Sequence, residues 1–209
     1  MLFAHVLTIV LTPACKLEDR RFSDYGKLPA IAKEIIARTK KDQDGRFHLM
    51  SLKDQKALMA AIPAMQAMDA DNTAWMHKVV DKVGWPSRSL VGAKASDDAW
   101  LLVQHADADK AFQRRCLALI LPFMDKGEVK KQNVALLIDR VMVGEGKPQV
   151  YGSQWKFVNG DIVPSTPIAD EKRVDSRRKA MNLDTLAEYK EILKKVYGNA
   201  LASSKKSGN

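Results

Sequence analysis

Gln104-His105-Ala106-Asp107 ends an apolar helical pattern in a polar cluster, and His105 is the member whose charge can change near neutral pH. Asp98, Leu101, Leu102 and His105 fall at i, i+3, i+4 and i+7, so His105 belongs to the inward stripe of its helix. A neighbouring carboxylate would orient the ring as a general acid or base. Asp107 is nearest in sequence, but residues two apart on a helix do not face each other. The orienting group is therefore expected from elsewhere, from Asp139 or Asp42. Arg46, Arg140 and Arg178 offer bidentate donors to a carboxylate or phosphate, and Tyr151 and Gln154 add neutral hydrogen bonds.

The expected site gathers His105, Asp139, Arg140, Tyr151 and Gln154, and takes a small or peptidic anionic ligand. With His105 as base and an arginine stabilising developing negative charge, the chemistry would be acid-base hydrolysis or group transfer. The alternative is a non-catalytic interaction protein of the cell envelope, in which the same polar residues form a buried and satisfied network. Both readings stand on the sequence alone.

Other chemistries lack their residues. His5, His48 and His77 are scattered, and neither His-Glu-x-x-His nor Glu-x-x-His occurs, so no metal site is expected. Gly144-Glu-Gly-Lys147 is followed by Pro148 and lacks the phosphate-loop spacing, and no dinucleotide-type glycines occur, so no cofactor is expected. Ser153 lacks the second flanking glycine of a hydrolase elbow. Two cysteines allow neither a disulfide framework nor a cysteine-rich zinc site. Cys116 shares a helical face with Phe112, Leu119 and Phe123, which reads as core.

A chain of 209 residues, 46% hydrophobic and 28% charged, suits one globular domain with appendages. The net charge of +9 favours anionic partners or simply solubility. No basic stripe interleaves with exposed aromatics, so nucleic acid is not an expected partner. Residues 1–14 form an apolar run too short to span a bilayer, and they read as an export signal. Ala14-Cys15 resembles the junction at which bacterial lipoproteins are cut and acylated. Thr12 departs from the preferred leucine, and no Lys or Arg precedes the run. A buried N-terminal strand or helix is the competing reading. The expected location is outside the cytoplasm, periplasmic or tethered to the membrane by lipid on Cys15, with 15–28 as linker.

The elements that must position the site follow from periodicity. Pro29 opens a helix to about Thr39 with Ile31, Ile35 and Ile36 inward, and Asp42-Gln-Asp-Gly-Arg46 interrupts the pattern. Ser51 caps a helix that Pro63 breaks or kinks, and Met59, Met65, Met68 and Met76 read as core filling. Asp71 or Asn72 caps the next helix, which Gly84 ends. Ser96 caps the helix carrying His105, and Asp107 or Asp109 caps another that stops at Lys126-Gly127. A helix over about 130–143 precedes a strand from Gln149 to Val158, a turn at Asn159-Gly160 and a return strand. The last helix covers about 184–197. The expected fold is mainly α, six or seven packed helices with one small β-hairpin near 149–163, in a single helical domain over 29–198 with a disordered tail at 199–209.

An ordered set of short motifs runs through these elements. They are Asp42-Gln43-Asp44-Gly45-Arg46, Gly84-Trp85-Pro86, Gln104-His105-Ala106-Asp107, Asp139-Arg140, Gln149-Val150-Tyr151-Gly152-Ser153-Gln154 and Val174-Asp175-Ser176-Arg177-Arg178. Over about residues 30–197 this set resembles a bacterial family of unknown function. Ser153 stands where that family usually has threonine, which keeps the hydroxyl. The resemblance implies positions rather than an activity.

If Cys15 begins the mature chain, mass spectrometry of membrane-fraction protein should find residues 1–14 removed and a lipid on Cys15. Retention of residues 1–14 would reject the export reading.

Overall fold

The computed structural model describes residues 26–52, 54–158 and 161–206, with side chains as far as Val196. Among these residues the fold is mainly α, with eight α-helices and one two-stranded antiparallel sheet. The chain forms two compact units that divide between Val134 and Ala135.

In the unit that ends at Val134, α1 (Pro29–Ser51) continues through the segment expected to break it. Its buried positions are Ala32, Ile35, Thr39, Asp42, Arg46 and Leu49, an unbroken helical spacing in which only the residue type changes. Asp42 and Arg46 lie four apart and pair with each other, so polar side chains hold core positions. Gly45 is the close-approach point, since a Cβ there would lie 3.0 Å from the methyl ends of Met65 and Met68. Ser51 closes the helix, its hydroxyl donating to the His48 carbonyl at 2.7 Å. The cap of the next helix is Asp54, which accepts the Ala57 amide at 2.8 Å.

That helix, α2 (Gln55–Val83), is continuous for 29 residues and contains Pro63, Asp71 and Asn72. Pro63 removes one hydrogen bond from the Met59 carbonyl, and Met59 is exposed, so water can take the freed acceptor. Met65 and Met76 fill the core as expected, whereas Met59 does not. Gly84 ends α2 at φ 72°. After α3 (Arg88–Val91), α4 (Ala93–Gln104) begins ahead of Ser96, with Gly92 at its cap. Ser96 is thus inside the helix. The small Ala95 and Ala99 are fully buried where α4 packs on α1 and α2, alongside Ala32, Ile35, Met76 and Val80. Asp109, one of the two expected caps, accepts the Phe112 amide at the start of α5 (Lys110–Ile120). A 3-10 turn over Leu121–Lys126 then stops at Gly127, φ 70°. Cys116 is buried, and burial pushes its thiol up to about 12, as suits a core residue.

The other unit takes up the chain within α6 (Lys131–Gly144), where Leu137, Asp139 and Val141 are buried. Strands β1 (Trp155–Val158) and β2 (Asp161–Pro164) pair antiparallel, with Val158 opposite Asp161. That flanking pair is the one the turn chemistry requires; Asn159 and Gly160 themselves lie outside the described residues. Residues 149–154, expected to extend the strand, do not; Gln149 alone bridges Ile168. A 3-10 turn at Glu171–Arg173 leads into α7 (Val174–Ala180), and α8 (Leu186–Lys206) follows. Thr185 and Glu188 cap α8 reciprocally, and Asp175 accepts the Leu186 amide. Trp155, Ile162, Tyr189 and Leu193 form this unit's buried apolar cluster, with Phe157 and Leu186 against it.

No helix among the described residues is long and apolar enough to cross a membrane. The apolar run 1–14 and Cys15 lie outside the described residues.

Replacing Asp54 by Ala should lower stability by about 1 kcal/mol, because the Ala57 amide loses its side-chain acceptor. Urea unfolding should show a lower midpoint with an unchanged slope.

Candidate functional site

His105 caps the C-terminal end of α4 and turns its ring onto α1. Nδ1 lies 3.0 Å from Asp42 Oδ2 and 3.0 Å from Arg46 Nε. From α2, Asp69 completes the cluster, with its Oδ1 2.5 Å from Arg46 Nη2. Arg46 also contacts Asp42 Oδ1 at 3.1 Å, so one guanidinium serves two carboxylates. Gln43 donates to Asp42 Oδ2 at 2.7 Å.

Nδ1 cannot donate to Asp42 and accept from Arg46 at once, so the ring tautomer decides between them. With the proton on Nδ1, Asp42 holds the ring and Nε2 carries the basic lone pair. Arg46 then keeps both carboxylates as acceptors, one cation between two acids.

Electrostatics pull the two carboxylates apart. Burial pushes Asp42 up, but hydrogen bonds and charge from His105 and Arg46 outweigh it and hold the group at about 2. Burial pushes Asp69 up to about 6, because the single arginine is shared and the Asp42 charge adds to the shift. Asp42 is 0% exposed, His105 5% and Arg46 7%, while the Asp69 side chain retains 23%. Asp69 is therefore the cluster's opening toward solvent.

Ligand atoms of Asp42, Asp69 and His105 lie within 4.8 Å of one another, a spacing that suits a metal ion. Arg46 Nη2, however, touches both carboxylates and provides the positive charge between them. As arranged, the donor set is complementary to arginine.

In the other unit the polar residues are organised around the backbone of 150–154. Asp139 accepts the amides of Val150 at 2.7 Å, Tyr151 at 3.0 Å and Ser153 at 2.8 Å. Burial pushes its carboxyl up, against the opposing effect of those amides. The Gln149 side chain receives the Gln154 amide and donates to the Gln154 carbonyl. Arg177 donates to the Val150 carbonyl, Arg178 to Tyr151, Trp155 to Gly152 and Tyr189 to Ser153. Arg140 donates to Gln154 Oε1 at 2.9 Å. These side-chain bonds replace the strand ladder that alternation suggested. Gly152, at φ 65°, is required twice over, since a Cβ would also lie 2.6 Å from Ile168 Cδ1.

The structure thus brings Arg46 to His105 in one unit, and Asp139, Arg140, Tyr151, Gln154 and Arg178 together in the other. Of the two carboxylates weighed for His105, Asp42 is found against its Nδ1, and Asp139 has the loop amides. Sequence reasoning missed Asp69. Its only signal is being the first charge after the uncharged run Ala57–Met68. It also missed the Gln149 clip, which no periodicity reports.

A helical protein whose buried carboxylates are compensated by arginine, histidine and backbone amides is the class that fold and site define. The chain belongs to a family of unknown function (DUF6624), which matches residues 29–202. No curated protein and no solved structure matches it.

The split carboxylates predict a particular pH dependence of stability. Asp69, raised to about 6, binds more protons folded than unfolded, so stability falls as pH rises from about 4 to 6. Asp42, lowered to about 2, does the reverse, and its contribution is lost as pH falls from about 4 to 2. In denaturant titrations Asp69→Asn should flatten the upper window by at most about 3 kcal/mol. Asp42→Asn should cost about 3 kcal/mol at neutral pH by leaving Arg46 and His105 undercompensated.

Proposed function

We propose that Asp42, Arg46, Asp69 and His105 form an acid-base centre for hydrolysis or group transfer on a small or peptidic substrate that carries an anionic group. The observation that carries this reading is the pair of carboxylates with opposite shifts around one arginine, the lower of them against His105 Nδ1. Asp42 orients the ring as a general acid or base. Asp69 titrates close enough to neutral to exchange a proton with substrate. When Asp69 is protonated, Arg46 is balanced by Asp42 alone, and an incoming carboxylate or phosphate can take the place of Asp69. That exchange accounts for an anionic ligand at a site holding two acids.

The other polar network is assigned a supporting role. Asp139, Arg178 and Gln149 hold backbone, and Tyr151 is the half-buried side chain that their loop carries. We place the centre in an exported protein tethered through Cys15, on the strength of the apolar run before it.

Purified wild type and His105→Ala would be compared on chromogenic ester, phosphoester and peptide substrates, with unfolding measured on both. Wild-type turnover that falls by roughly 10²–10⁴ in the variant, with stability nearly intact, supports the acid-base reading. Wild type inert on every class, with the variant destabilised by about 1–3 kcal/mol, supports the structural alternative instead.

A further inference from the structure

We propose that α4 carries a file of ordered water serving the Asp42–His105 centre, an inference that rests on the acid-base reading above. Ser96, Trp100 and Gln104 stand at i, i+4 and i+8, a single stripe spanning about 12 Å of helix. Ser96 Oγ, Trp100 Nε1 and both amide atoms of Gln104 are buried without a hydrogen-bond partner from the chain. Unsatisfied buried side-chain atoms are uncommon, and a row of them on one helix face needs a common occupant.

The donor and acceptor types select that occupant. The Trp100 indole only donates, Gln104 both donates and accepts, and the Ser96 hydroxyl does either. An anion would leave Gln104 Oε1 unsatisfied, and a cation would leave Trp100 Nε1 and Gln104 Nε2 unsatisfied. A neutral molecule that accepts and donates satisfies all of them. Ser96 is 2% exposed and Gln104 0%, so it must be small. Water meets each condition, and neighbouring stripe positions are close enough for bridging.

The same signature recurs at the centre. Gln43 donates its amide to Asp42, while its Oε1 is buried and without a partner. A water donating there would sit beside the carboxylate that orients His105. Gln104 directly precedes His105, which is itself buried. Hydrolysis at the centre consumes water, and the α4 stripe supplies groups that hold it inside the fold, away from the opening at Asp69.

Full-length ¹⁵N-labelled protein tests this by water-selective NOE and ROE spectra. The Trp100 indole N–H and the Gln104 side-chain amide should show cross-peaks to water with the sign of a long-lived bound molecule. Gln104→Leu should lower Tm and abolish the Trp100 cross-peak, because the bridging water loses its partners. No water cross-peak at either group, or a raised Tm in the variant, would overturn the proposal. The spectra do not depend on turnover. Bound water together with unchanged turnover in His105→Ala would remove the acid-base reading and leave the water file in place.

Discussion

A carboxylate with no exposure to water constrains the first unit more than any apolar contact does. Asp42 is ionised inside the fold only because Arg46, Gln43 and His105 reach it, and those groups come from α1 itself and from the end of α4. Removing any of them would leave buried charge undercompensated, which costs more than a lost methyl group. The packing of α1 on α4 therefore has to place the His105 ring within hydrogen-bond reach. Arg46 is in turn long enough to bring Asp69 of α2 into the same cluster, so one ionised group ties three helices together.

Asp139 faces the same desolvation in the other unit and meets it differently. Its partners are backbone amides, so compensating the charge also fixes the path of residues 150–153. The carbonyls of the same loop are taken by Arg177, Arg178, Trp155 and Tyr189. Several of the motifs picked out in the sequence supply such pairings or the turn they need. Asp42 and Arg46 are an i, i+4 pair, Asp107 accepts from Gln113, Gly152 supplies a positive φ, and Asp175 caps α8.

Apolar periodicity made the fold class and most helices legible, and Asn159-Gly160 made the hairpin register legible through Val158 and Asp161. It failed where polar side chains hold core positions. Thr39, Asp42 and Arg46 continue the helical spacing of Ile35 and Leu49, but a rule that reads hydrophobicity sees an interruption. Pro63 and Asn72 misled for the reverse reason, because exposure at one and the Arg38 contact at the other let a single helix absorb both. Within the site, His105 and Arg46 were legible from residue type. Asp69 was not, since nothing local in α2 reports that an arginine on α1 will reach it.

The two networks differ in what they leave able to change. Around Asp139 the carboxylate's partners are backbone amides, which do not titrate, so what the arrangement fixes is the path of the backbone. Around Asp42 the partners are a histidine with two tautomers, an arginine shared between acids and a carboxyl group raised to about 6. Asp42 and Asp69 shift in opposite directions around that one arginine, so the cluster pairs an acid that stays ionised with one that can take a proton. Chemistry requires that property and a scaffold does not, so the functional reading attaches to Asp42 and His105, with the 149–154 loop as a fixed support of its own unit.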